Sequence, residues 1–292
     1  MELQQLRYVV AVAETHSFTR AAERCLVVQS ALSHQIARLE KELDVRLFER
    51  TSRRVRITPA GAAFLPGARQ CLEAAERAAA EAAATVGVIR GRLAVGVIPT
   101  VAAVDVPGAL REFHERYPHV RISLRVGASD ELVEQVRQEV LDIALLGLPN
   151  SARPQGVDSR ELARDRLVAV VAPGHPLARR ESVSLRELSA EVFVDLPART
   201  AGRAQTDQAF AAAGLTREVA YEVTNADFIA RLVGQGLGVA LFPSRFVPQL
   251  TGVTTLDVAD APTRVEHIAW SRGGSSPAAA AFLGLLGITP EP

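Results

Sequence analysis

The chain of 292 residues carries 33 basic and 33 acidic side chains, so its formal net charge is zero, and its 48% apolar, 23% charged composition excludes a collagenous or low-complexity protein. No run of about 18 apolar residues free of charge occurs, so no membrane span is expected, and residues 1–7 lack the basic-then-apolar pattern of a secretory leader. Two cysteines, Cys25 and Cys71, are too few for a disulfide framework and suit a reducing cytoplasm.

Charge is unevenly placed. Residues 1–60 hold ten basic side chains against seven acidic ones, a surplus of three that the rest of the chain cancels. A small basic head is what a polyanion-binding module presents. The bland alternative is a solvated surface with chance clustering.

Leu3, Leu6, Val9, Val10 and Ala13 recur at helical spacing and predict an amphipathic first helix. His16-Ser17 interrupts it, and Ser17 is placed to cap a second helix through Phe18, Ala21 and Ala22 towards Arg24. After the connector at 25–28, a third helix is expected from Gln29 or Ser30. Leu32, Ile36 and Leu39 form its buried stripe; Ser30, His34, Ala37 and Lys41 lie opposite, flanked by Ser33 and Arg38. Short polar side chains let a helix approach base edges, and arginine or lysine reaches guanine or phosphate. Two short helices, the later one bearing such a face, make a helix-turn-helix pattern, although a plain three-helix bundle would share the periodicity. Residues 47–50 are expected to close a helical stretch, 51–54 to form a cationic turn and Val55–Ile57 to be a strand. Together they suggest a wing whose tip enters the minor groove or follows phosphates.

Several blocks here resemble the LysR-type transcriptional regulators. They are Leu6-Arg7-Tyr8-Val9-Val10-Ala11-Val12-Ala13-Glu14, Ser17-Phe18-Thr19-Arg20-Ala21-Ala22-Glu23-Arg24, Gln29-Ser30-Ala31-Leu32-Ser33-His34-Gln35-Ile36, Leu47-Phe48-Glu49-Arg50 and Thr58-Pro59-Ala60-Gly61. The match is dense over residues 1–65. It implies an α+β multidomain protein: a winged helix-turn-helix DNA-binding domain at 1–58, a linker and dimerisation helix at 59–90, and a two-lobed α/β effector-binding domain at 91–292. That last domain resembles type 2 periplasmic binding proteins, with lobe I at about 91–163 and 265–292 and lobe II at about 164–264. By the same resemblance, Gln29, Ser30, Ser33, His34 and Arg38 meet the major groove of double-stranded DNA, and Arg53 and Arg54 belong to the wing. Val28 departs from the family, which often has Ser or Thr there, so the third helix lacks its usual side-chain cap unless Ser30 shifts the start. His34 stands where a permanently charged residue is common, so a contact there is expected to depend on pH.

Residues 59–90 are alanine-rich. Leu65, Ala68, Leu72, Ala75, Ala79, Ala82 and Val86 step by three and four, a heptad-like seam for helix pairing. Pro66 is expected to kink or interrupt the first turns. The family's use of this element as a dimerisation helix implies a homodimer or homotetramer.

From Arg92 onward strands and helices alternate, as in an α/β domain with a mainly parallel sheet. Strands are expected at 93–98, Val120–Val126, 142–147, 167–171, 192–194, 219–223, 239–242 and 265–270, the last returning to the first lobe. Helices are expected through Leu110, Phe113 and Tyr117, from a Ser129 cap, at 206–213, at 228–235 and at 277–286. A cleft between two lobes is the place for a small-molecule effector. Pro99-Thr100, Ala128-Ser129 and Thr224-Asn225 are read as helix starts there, where backbone N–H groups favour an anion, so a carboxylate-bearing effector is expected. Leu146, Gly147, Leu196, Pro197 and Thr200 are further candidates on loops facing the cleft. Simple helix capping without a ligand is the competing reading for each Ser, Thr or Asn.

Other function classes have weaker support. The six histidines show no metal-ligand spacing, and neither a phosphate-cradling Gly-x-x-x-x-Gly-Lys nor a Gly-x-Ser-x-Gly elbow occurs. No catalytic residue, metal or cofactor is therefore expected. A peroxide-sensing switch needs two cysteines in the sensor, whereas Cys25 and Cys71 fall in the head and linker. An exported solute-binding protein would need a leader and no basic head.

Overall fold

The computed structural model describes residues 1–50, 55–198, 200–272 and 274–289. It forms two compact units, Met1–Val88 and the chain from Ile89 onward.

The first unit opens with α1 (Leu3–Thr15), α2 (Phe18–Arg24) and α3 (Gln29–Leu43). His16 turns into the left-handed region (φ 51°) and ends α1, and Ser17 then accepts from the Arg20 amide at 3.3 Å to cap α2. The helix α3 starts at Gln29 with Val28 as an N-cap that offers no side-chain bond. Leu32, Ile36 and Leu39 are completely buried against Val9, Val12, Phe18 and Ala21. Burying each such side chain stabilises the head by ~1.5–3 kcal/mol.

A short antiparallel hairpin follows, β1 (Phe48–Arg50) with β2 (Val55–Ile57). The expected helical ending at 47–50 is thus corrected to a turn and a strand. Asp44 adopts φ 53° and stops α3. The Glu40 carboxylate then accepts from the amides of Leu47 (2.7 Å) and Phe48 (3.1 Å), which holds them in extended chain. Thr58 caps α4 (Pro59–Ala84) by accepting from Gly61 N at 3.0 Å, and its hydroxyl donates to Arg46 O at 2.6 Å. A Cβ at Gly61 would collide with the Leu47 carbonyl, so this closure demands glycine. Of the two outcomes expected at Pro66, an interruption does not occur, since α4 runs on through it. The helix also ends at Ala84, leaving Val86 of the proposed seam beyond it. Phe64 and Leu65 pack on the core of the head.

The second unit runs β3 (Gly91–Val97), α5 (Val106–Arg116), β4 (Val120–Val126), α6 (Ser129–Arg137), β5 (Ile143–Pro149) and β6 (Asp158–Val171). There follow β7 (Ser182–Val183), α7 (Leu185–Leu188), β8 (Val192–Asp195), α8 (Ala201–Ala212), β9 (Glu218–Glu222), α9 (Ala226–Gly234), β10 (Ala240–Pro243), β11 (Thr254–Val258), β12 (Thr263–Trp270) and α10 (Pro277–Leu285). The sheet order is β4-β3-β5-β12-β6-β11-β7, with β10 also paired to β6 and β8 paired to β9. β3 runs parallel to β4 and β5, and β12 returns antiparallel between β5 and β6.

Two lobes follow from β6. Its first half pairs with β12, and its second half pairs with β10 and β11. The first lobe buries Leu93, Val95, Phe113, Ile268 and Phe282 on one sheet face and Leu132, Val136 and Leu146 on the other. The second buries Phe193 and Phe210 on one side and Ile229, Val233 and Phe242 on the other. The strand expected only at 167–171 begins at Asp158, and the helix expected from Thr206 begins at Ala201. Charged residues at 158–166 hide the first of these strands from a hydropathy pattern, because its early side chains are exposed.

Candidate functional site

Two surfaces stand out, one in each unit. On α3, packing of Leu32, Ile36 and Leu39 turns Ser30, His34, Ala37 and Lys41 to solvent, with Gln29 and Arg38 also exposed and Ser33 half-buried beside them. Arg38 stands 3.9 Å from Glu2 with most of its side chain in water, a contact that leaves it able to extend. The orientation of α3 is set by Gln5, which is buried and donates to Gln35 Oε1 at 3.2 Å. The strands of the wing are defined, whereas Arg53 and Arg54 lie outside the described residues.

The second surface is a cleft of about 580 Å³ within the second unit, between its lobes. Ten of the eleven predicted effector residues line it: Pro99, Thr100, Ala128, Ser129, Gly147, Leu196, Pro197, Thr200, Thr224 and Asn225. Leu146 does not. The alternation of β5 sends its side chain into the core with Leu132 and Val136. Ile98, Val126, Leu196 and the prolines make much of the wall apolar.

The hydrogen-bonding roles differ from expectation. Thr100 does not begin a helix, since α5 starts at Val106 with Asp105 as its cap. The intervening loop is held instead by Glu266, which accepts from the Ala102 and Ala103 amides at 3.0 Å each. Ser129 does not cap α6. Its hydroxyl donates to Gly147 O at 3.0 Å and accepts from Gly147 N at 3.1 Å, joining α6 to the end of β5. Thr200 does cap α8, accepting from Arg203 N and donating to Pro197 O. Asn225 caps α9 through Phe228 N at 2.8 Å.

The residues missed by sequence reasoning sit on the cleft floor. Arg264 is 5% exposed, ion-paired to the fully buried Glu266, and donates to Thr100 Oγ1 (2.8 Å) and Thr100 O (2.7 Å). Gln205 is equally buried, and its Nε2 donates to Thr263 O at 2.7 Å. Behind the floor, Arg217 pairs with Asp195 at 2.7 Å and stacks over Phe193 at 4.7 Å. Burial pushes the Asp195 carboxyl up, with Arg217 opposing it. The available signal is Arg264-Val265-Glu266-His267, charged and polar side chains inside a strand that must be buried on both faces.

These two surfaces define a helix-turn-helix regulator carrying a small-molecule-binding domain. Residues 3–62 match the "Bacterial regulatory helix-turn-helix protein, lysR family", and residues 87–288 match the "LysR substrate binding domain". The chain is 35% identical to the transcriptional dual regulator GltC of Bacillus subtilis over 88% of its own length and 86% of that protein's. It is 33% identical to the Hca operon transcriptional activator HcaR of Escherichia coli over 98% and 97%. The structure of full-length CbnR complexed with its target DNA superposes with a TM-score of 0.75 at 26% identity, covering 98% of this chain and 99% of that one. A full-length OxyR variant from Pseudomonas aeruginosa gives 0.68 at 27%, covering 98% and 94%. The chain belongs to the LysR family of transcriptional regulators.

Proposed function

We propose that Gln29, Ser30, Ser33, His34 and Arg38 read operator DNA in the major groove, with Arg53 and Arg54 on the adjacent backbone or minor groove. The observation that carries this is the exposed face of α3, polar and cationic opposite a fully buried stripe. A complex with target DNA is recorded for the similar CbnR. The segments divide as a DNA-binding domain at 1–58, a linker at 59–90 and an effector domain from 91, and α4 pairs two chains along Ala75, Ala79 and Ala82, so that two heads engage two half-sites. The protein works as a cytoplasmic regulator and not as a catalyst. An anionic, carboxylate-bearing effector occupies the cleft and shifts the equilibrium between lobe arrangements, and with it the spacing of the heads.

The test is a titration of operator and random duplex at several salt concentrations, after the chromosomal sites bound by the protein have been mapped. Arg38→Ala is expected to cost roughly tenfold in operator affinity and little on random duplex. Arg53→Ala lowers the salt slope by ~0.9, the release of one phosphate contact. No preference for any bound site over random duplex would overturn the assignment of α3.

A further inference from the structure

The polar groups of the cleft divide into those the protein already uses and those it leaves for a ligand. Ser129 and Thr200 each donate and accept within the chain, so neither hydroxyl has a proton left for a ligand. Thr100 is different. Its Oγ1 accepts from Arg264, which turns its own proton away from the guanidinium, and among the described residues that proton has no acceptor. Gln205 is the complement. Its Nε2 is fixed on Thr263 O, which orients the amide, and its Oε1 accepts from nothing among the described residues. That oxygen is not sealed from solvent, and Gln205 lines the cleft. Thr100, Gln205, Arg264, Leu196 and Gly202 belong both to the cleft and to a hollow of about 30 Å³ behind it, so they form one floor.

The helix starts around this floor are not equivalent. α6 carries Asp130 and Glu131 in its first turn, and α9 carries Asp227, so their positive ends are already offset. α8 has no acidic residue in its first turn. Its opening residues Ala201 and Gly202 line the cleft, and a Cβ at Gly202 would press on Leu196, so the backbone there stays bare. An anion therefore belongs at α8. One turn along the same helix, the Gln205 oxygen asks for a donor.

We infer that the cleft floor selects a carboxylate whose neighbouring carbon bears a hydrogen-bond donor, a 2-hydroxy or 2-amino acid, over the 2-oxo or unsubstituted acid. The carboxylate accepts from the α8 amides and the Thr100 hydroxyl, and the 2-substituent donates to Gln205 Oε1. A 2-oxo group would set two acceptors against each other, and an unsubstituted acid would bury Gln205 Oε1 without a partner. The apolar wall suits an uncharged remainder. This rests on the anionic effector proposed above, and the experiment separates the two.

The test is isothermal titration of the full-length protein with two matched sets. One is mandelate, phenylglycine, phenylglyoxylate and phenylacetate; the other is lactate, alanine, pyruvate and propionate. In at least one set, the hydroxy or amino member is expected to bind about tenfold or more tightly than its oxo and unsubstituted partners. Which of the two prevails tells a hydroxyl from an ammonium effector. Gln205→Met should erase the preference while the unsubstituted acid binds as before. Thr100→Val should weaken all members of the set alike. Should Gln205→Met fail to fold, the wild-type ranking and Thr100→Val still decide. Equal binding of oxo or unsubstituted acids overturns the role of Gln205 and leaves the anionic cleft standing. No binding by any of the eight acids overturns both.

Discussion

The face of α3 and the floor of the cleft, the two surfaces proposed for recognition, are built in opposite ways. The first is made by one helix. Its side chains lie between Gln29 and Lys41, and three apolar neighbours at i, i+4 and i+7 aim them outward. The second gathers Thr100, Gln205 and Arg264 from three distant places in the chain and holds them by a buried ion pair and side-chain hydrogen bonds. A surface that meets a long regular polymer can be periodic and solvated. A pocket that meets one small molecule must be pre-formed and dry, so it needs buried polar groups that hold one another.

That contrast predicts where substitutions hurt. Glu266→Ala should have the largest effect, because it leaves the Arg264 guanidinium buried without its counter-charge, at about 3–5 kcal/mol. Trp270 is the sole tryptophan and lies on the same strand, so its fluorescence during denaturant unfolding reports the second unit. An unchanged midpoint would mean that the pair holds nothing.

Gly61→Ala should be next. The added methyl meets the Leu47 carbonyl, and relief requires moving the junction between wing and α4 at about 1–3 kcal/mol. The Trp270 transition should stay where it is while operator affinity drops. A fall in both would show that the two units do not unfold independently.

The smallest effect is expected from acid. His267 sits in β12 at a bulge beside Glu266, 2% exposed, and neither ring nitrogen has a partner among the described residues. Burial lowers its proton affinity first, Arg153 and Arg164 add to this, and Glu161 opposes it. The folded-state value is therefore depressed. As pH falls, the unfolded chain takes up its proton first, near pH 6.5, and stability present above that pH is lost towards the folded-state value. His267→Leu should flatten the pH dependence of the second unit's stability below about pH 6.5. Retained acid sensitivity in this variant would assign it to other groups.

Legibility follows the same division. Ser17 as a cap, the α3 stripe and the strand at Val120–Val126 are readable directly, because each depends on neighbours within one or two turns. Expectation fails where a distant group intervenes. The Ala102 and Ala103 amides, which would have opened a helix after Thr100, are captured by Glu266 more than 160 residues away. Ser129 is drawn off its own helix by Gly147, and Glu40 converts an expected helix end into a strand. Leu146 falls on the core side of β5 rather than the cleft side, and the apolar residues on both faces of that strand carry no alternation to read.

Local periodicity and capping settled α1 to α3 and most of the segments that border the cleft, since those signals decay within a few residues and need no partner. Tertiary structure alone settled that Arg264 and Glu266 stand under Thr100 and that the carbonyl of Gln205 accepts from nothing among the described residues. A buried donor or acceptor without a mate is costly, and the identity of the mate depends on which strands lie side by side.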